Sequence, residues 1–346
     1  MENEEIRRIQ LTGGSTYTVS LPKKWVSEMG LKAGSSIVIL QEGESLILIP
    51  KDLAKPKISF PEATLKISVN DTPEKIARAI ISIYLNGYSS IRIKTVDDNN
   101  ITPSQRNAIR ELVKRKLVGT EIIFDSSQEI IIKVLVSYPE LSVESALRRV
   151  CLITSSMFND AIKALVNLDK ELAKNVIELD DEVDRFSFYI IRQLKFAVQN
   201  NKILKEIGLS NPKDCLGYRV VIKFVERAAD HTVKISRNVL LIDEKLDESI
   251  LQKILDMSNF VKSIFERSVE SLFKMDYLLA EKTISETKKI ASMENEIIKT
   301  LVGGKTDKVL ISNIRMILES IRRFGEYASD IAEIVLNLTI NQIIMT

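Results

Sequence analysis

Histidine is almost missing from this chain: His231 is the single one in 346 residues. A Ser-His-Asp or Cys-His nucleophile system would have to use it as its base, and no nucleophile elbow accompanies it. The two cysteines, Cys151 and Cys215, stand far apart with no CxxC spacing. That excludes a disulfide framework and a thiolate zinc site. Neither a GxxxxGKS/T loop nor a GxGxxG turn occurs, so the common nucleotide-binding loops are lacking. Aromatics are only 6% of residues, too few for base-stacking platforms. No apolar run reaches the ~18 residues that span a bilayer. The opening MENEEIRRIQ lacks the apolar stretch of a signal peptide. Excess charge is missing too: 49 Lys plus Arg face 47 Asp plus Glu, so affinity for nucleic acid must come from a local patch. An ordinary enzyme is disfavoured, and the chain reads as cytoplasmic.

What is present divides into three patterns, consistent with the two or three domains that this length suggests. Residues 5–50 read as short strands and tight turns: IRRIQL, a turn at Thr12-Gly13-Gly14-Ser15, then TYTVSL. Pro22 opens a short helix that Gly30 closes, and SSIVIL and SLILIP flank a hairpin turn at Gln41–Glu44. So small a unit buries little core alone, which predicts dimerisation. Lys51 to Pro61, with two prolines, reads as a linker. A β-α-β-α-β-β pattern follows, expected to form a ferredoxin-like or ACT-like α/β sandwich that acts as a spacer and second dimer contact. From Ser142 the 3.6-residue period runs to the end, broken at Asn211-Pro212 and Gly303-Gly304, which predicts six long helices in two three-helix halves. The expected boundaries are 1–52, 62–138, 142–240 and 248–342.

The two helical halves repeat one another. Val225 to Asp230 lies on Gly325 to Asp330 at an offset of 100 residues, and Met157 to Ala161 lies on Ile264 to Ser268 at an offset of 107. Asp180 to Asp184 aligns with Glu294 to Ile298. The matched positions are acidic. Asp180/Asp184, Glu226/Asp230 and Glu326/Asp330 are spaced one helical turn apart, so each pair stacks on one face. Like charges at that spacing oppose the helix, and carboxylates beside a core need a cation. Oxygen donors one turn apart on two antiparallel helices suit a hard divalent metal or iron. The same pairs also suit solvated faces with Lys and Arg neighbours, and recurrence in both halves leaves the two readings even. His231, beside Asp230, has Ile331 as its counterpart in the other half and reads as a packed or surface histidine.

VERAADHTVKISRNV (225–239) and IRRFGEYASDIAEIVLN (321–337) resemble the third-helix signatures of the two PhoU-family repeats, and LDDEVDRF (179–186) resembles the second-helix signature of the first. The resemblance spans about 142–340. It implies two three-helix bundles whose acidic motifs hold iron or another metal such as zinc, manganese or magnesium. The implied ligands are Asp180, Asp181, Asp184, Glu226 and Asp230 in the first repeat, and Glu294, Glu326 and Asp330 in the second. Ile298 stands where an aspartate is expected, which predicts one fuller site and one weakened or empty one. A carboxylate-bridged di-iron oxidase needs two Glu-x-x-His pairs, and one histidine cannot supply them.

RRIQLTGGSTYTVSLPKKWVSEMGLKAGSSIVIL resembles the AbrB/MazE-type swapped-hairpin domain, in which two chains interleave strands into one all-β barrel set on duplex DNA. The resemblance implies DNA contacts from Arg7, Arg8, Ser15, Thr16, Lys23 and Lys24, with Trp25 packing the short helix into the barrel. Together the two resemble archaeal PhoU-related regulators. They imply a metal-binding, homodimeric, DNA-binding transcriptional regulator of phosphate uptake, not an enzyme. The alternative is an adaptor without DNA activity that binds the ATPase of a phosphate transporter or a signalling partner, with no insertion into the membrane.

Overall fold

The computed structural model describes residues 5–42, 44–51, 61–96, 99–135, 142–303 and 307–344, and most of the expected linker lies outside them. The chain separates into two units, Met1–Phe60 and Pro61–Thr346.

In the first unit β1 (Gln10–Thr12) pairs antiparallel with β2 (Thr16–Thr18). Gly13 and Gly14 turn the chain between them at φ +62° and +78°, left-handed values that favour glycine. Helix α1 (Lys23–Glu28) starts at Pro22, and β3 (Ile37–Glu42) pairs with β4 (Ser45–Pro50) from Ile37↔Pro50 to Glu42↔Ser45. The two hairpins form separate sheets. The expected barrel therefore does not close within one chain: each hairpin has only two strands, too few to cover an apolar face. Ile6, Leu11, Tyr17, Ile39 and Leu46 are all exposed, and Trp25 is only half-buried.

The second unit opens with the expected order of elements: β5 (Glu62–Ile67), α2 (Pro73–Leu85), β6 (Ser90–Thr95), α3 (Pro103–Lys116), β7 (Thr120–Asp125) and β8 (Glu129–Val134). Thr72 caps α2, and Thr102 with Gln105 forms a capping box on α3. The sheet runs β5-β6-β8-β7 with β5 and β6 parallel neighbours and the other pairs antiparallel. This corrects the ferredoxin/ACT-like expectation. That topology has the order β-α-β-β-α-β, whereas here α2 links two adjacent strands directly. One face, through Ile67, Ile91, Ile93, Ile130 and Ile132, is buried with α2 and α3. The other carries charge, including the Arg92–Glu129 ion pair.

Eight helices follow among the described residues. The first repeat holds α4 (Val143–Asn167), α5 (Lys170–Gln199), the short α6 (Asn201–Glu206) and α7 (Asp214–Val239). The second holds α8 (Glu248–Lys274), α9 (Tyr277–Thr287), α10 (Lys289–Gly303) and α11 (Lys308–Thr339). The expected single second helix of the later repeat is thus split at Lys288. Leu168 and Met275, 107 residues apart, both take φ near +50° at the turn after the first helix. The next residues, Asp169 and Asp276, cap the following helices. One core joins the repeats, with Phe324 of α11 stacked on Phe158 of α4 and against Phe265 of α8.

The α/β layer rests on α5. The buried Arg192 donates to the carbonyls of Tyr84 and Gly87 at the end of α2, and Lys195 reaches Asn86 at 2.8 Å. Gly87 has φ +93°, and a Cβ there would sit 2.7 Å from the Phe196 ring, so the close approach requires glycine.

Candidate functional site

The acidic residues of the first repeat gather from two helices: Asp180, Asp181 and Asp184 from α5, Glu226 and Asp230 from α7. Both helices bury an apolar stripe, Val176 and Val183 on α5 and Val225, Ala229 and Thr232 on α7, and the carboxylates border it. Asp180 is pushed up to about 7, first by burial and then by the charges of Asp184 and Asp230. Burial also raises Glu226 and Asp230, and Asp184 adds to each shift.

Lysines meet part of this charge. Lys116, the last residue of α3, places Nζ 2.7 Å from Asp184 Oδ2 and 3.1 Å from Asp181 Oδ1, and Arg115 lies 3.4 Å from Asp181. Burial works against the Lys116 charge, but the hydrogen bonds and charges of Asp184 and Asp181 outweigh it and hold its pKa above the ordinary value. Lys223, one turn before Glu226, sits 2.7 Å from both its oxygens. Asp180 and Asp230 have no hydrogen bond or ion pair among the described residues.

The second repeat solves the same problem internally. Arg322 of α11 places Nε 2.8 Å from Glu294 and donates to Glu326, which also holds Arg323 at 2.8 Å. The guanidinium thus lies between the carboxylates of Glu294 and Glu326. Asp330 has its pKa raised by burial and by Glu333 and Glu326. Ile298 packs against the core. The residue corresponding to Arg322 in the first repeat is the buried Ile222, and the cation on the α5 carboxylates there, Lys116, comes from the α/β layer.

The two repeats differ as metal sites. The first keeps hard oxygen donors, two of them unpaired, Asp180 half-buried and Asp230 exposed, and its chemistry fits a cation. The second does not fit, because Arg322 already supplies the charge. No three His, Cys, Asp or Glu side chains among the described residues converge as a metal group. His231 is packed rather than shared with the carboxylates: it lies 5.8 Å from the Tyr327 ring, and burial pushes it down to about 4.

Asp180 titrates between its unfolded value near 4 and about 7 in the fold, so the folded chain holds more protons there and loses stability as pH rises through this window. Asp180→Asn in chelated buffer is expected to match the parent below pH 4 and to exceed it above pH 7 by about 1–2 kcal/mol, a figure reduced for solvent screening at the edge of the site. Urea melts at pH 4 and pH 8 check it, and an Asn variant weaker at pH 8 contradicts it.

The residues implied for DNA contact are all exposed. Arg7 and Arg8 precede β1 and Arg7 pairs with Glu5, Ser15 and Thr16 end the first turn, and Lys23 and Lys24 open α1. Sequence reasoning missed the cations of the acidic sites. Lys223 and Arg323 were findable, since they occupy the same repeat position three residues before Glu226 and Glu326. Lys116 was not, since it comes from 68 residues away. No helix among the described residues is long and apolar enough to cross a membrane.

Comparison with known proteins adds to this geometry. The PhoU domain matches residues 147–239 and 254–335, just over half of the chain. Residues 10–55 match the family described as antidote-toxin recognition MazE, bacterial antitoxin. A phosphate-specific transport system accessory protein PhoU homolog 1 of Thermotoga maritima is 24% identical over 204 residues, 56% of this chain and 84% of that protein. A PhoU homolog of Clostridium acetobutylicum is 21% identical over 201 residues, 55% of this chain and 88% of that protein. The crystal structure of PhoU from Streptococcus pneumoniae superposes with a TM-score of 0.51 at 19% identity, covering 59% of this chain and 96% of that one.

Proposed function

Since the chain belongs to the PhoU family, we propose that it is an accessory regulator of a phosphate transport system, acting through its helical bundle on the transporter's ATPase subunit or a signalling partner. One observation carries this reading: the family match spans both repeats of the helical bundle, residues 147–239 and 254–335. The relatives it resembles are named as accessory proteins, not enzymes. Co-purification of the full chain with the phosphate transporter ATPase, and altered phosphate uptake on its deletion, are the expected results. Unchanged uptake with no co-purification rejects the reading.

The first repeat is the place for a cofactor. Asp180, Asp184, Glu226 and Asp230, with Asp181 beside them, would hold iron, zinc, manganese or magnesium, which neutralises charge there when bound. This chain's own residues set the terms: Asp180 and Asp230 attract the cation, and Lys116 and Lys223 compete with it. Elemental analysis beside a chelated sample is expected to find bound metal, lost in Asp180→Asn/Asp230→Asn. No metal in the untreated protein rejects the assignment.

A second reading, DNA-binding regulation of transcription, is favoured by the match over residues 10–55 and by the coreless hairpins. Exposed apolar residues on both hairpins call for a second copy of the chain, and a homodimer would present Arg7, Arg8, Lys23 and Lys24 in duplicate to duplex phosphates. Gel shifts with regions upstream of phosphate-transport genes test it. Charge reversal at Arg7 and Arg8 is expected to remove most binding while leaving the transporter association intact.

A further inference from the structure

A cavity of about 440 Å³ lies where α3 and β7 of the α/β layer meet α5, beside the first acidic site but opening between different residues. Three cations line it: Arg110 and Lys114 from α3, and Arg185 from α5. One carboxylate, the exposed Glu121, lies on its rim. The balance is positive and largely unspent. Lys114 and Arg185 have no hydrogen bond or ion pair among the described residues, and Arg185 Nε is buried with no partner at all. Arg110 reaches Asp125 at 2.6 Å, but Arg106 claims the same carboxylate, so two guanidinium groups share one negative charge.

Three cations gathered around a cavity with one carboxylate on its rim invite an anion. Guanidinium groups prefer oxyanions, whose paired oxygens match their planar donors. The apolar side of the cavity is formed by Val113, Leu117 and Ile122, and its volume exceeds what a bare oxyanion fills. We propose that this cavity binds a small organic phosphate, its phosphoryl group among Arg110, Lys114 and Arg185 and its organic part against Val113, Leu117 and Ile122. Arg185 directly follows Asp184, which Lys116 holds. A bound ligand therefore clasps α3 to α5 at the junction where the first repeat meets the α/β layer, and makes the site an effector pocket.

Calorimetry on the full chain tests this with AMP, ribose 5-phosphate, inorganic phosphate and adenosine. The organic phosphates are expected to bind in the submillimolar range, at least tenfold tighter than inorganic phosphate or adenosine. Arg185→Gln and Lys114→Gln are each expected to weaken binding at least tenfold with the thermal midpoint unchanged. In the parent chain, ligand is expected to slow hydrogen exchange over residues 110–122 and around 185, a readout that stands even where a variant fails to fold. Three results overturn the proposal: no binding of either organic phosphate, adenosine or inorganic phosphate binding as tightly as AMP, or protection elsewhere with the variants unaffected.

Discussion

Phe324→Ala is expected to destabilise the helical region by about 3–5 kcal/mol, the range for removing a fully buried phenylalanine. The ring is completely enclosed and lies in the core that the two repeats share. Its centroid lies 4.2 Å from Phe158 and 4.9 Å from Phe265, which occupy corresponding positions 107 residues apart. One truncation therefore strips packing from both halves at once, and stacked aromatic pairs contribute beyond their area. At roughly 2–4 °C per kcal/mol for a region of this size, the thermal midpoint should fall by about 10 °C. Calorimetry on the full chain checks it. A fall below 2 °C means that the halves are held together elsewhere.

Lys116→Glu carries the second large effect, because it adds a carboxylate to a cluster already short of positive charge. Asp184 and Asp181 lose the ammonium at 2.7 and 3.1 Å and gain a repelling neighbour. The loss is expected to be about 2–4 kcal/mol, close to that for breaking a partly buried pair. It should be concentrated where α3 meets α5, so hydrogen exchange over residues 103–117 accelerates while α8 and α11 keep their protection. Lys116→Met should cost less, as it removes attraction without adding repulsion. The charge swap Lys116→Glu/Asp184→Lys should recover about half the loss, and a double-mutant cycle with no coupling excludes the pairing.

The helical half was the more legible part of this sequence, for a physical reason. A helix declares itself through local period, and a duplicated bundle declares itself twice, so Asp180, Glu226 and Glu326 could be matched by register alone. Ser142 caps α4 as its position suggested. Partners drawn from elsewhere in the chain were not legible. Nothing near Asp184 announces Lys116, and Arg322 became visible as a substitute cation only once α10 and α11 were side by side. The split at Lys288 has neither glycine nor proline to mark it. Strand pairing was hidden for a related reason. Alternation shows which face of β5 and β6 is apolar, but not that the two lie side by side in parallel. The N-terminal strands were found, and within one chain they form two separate two-stranded sheets rather than the expected barrel.

The uninterrupted α5 gives the first repeat a mechanical property that the second lacks. Its 30 residues make a rod of roughly 45 Å, with Asp184 and Arg192 about 12 Å apart along it. The carboxylates sit at one point on this rod, and the guanidinium that grips the end of α2 sits at another. Lys116 at Asp184 and Arg192 at the end of α2 thus tie the α/β layer to this rod at two points about two turns apart, so the layer is braced against the first repeat. In the second repeat the corresponding helix is interrupted at Lys288, and no straight rod of this length is available for such a brace.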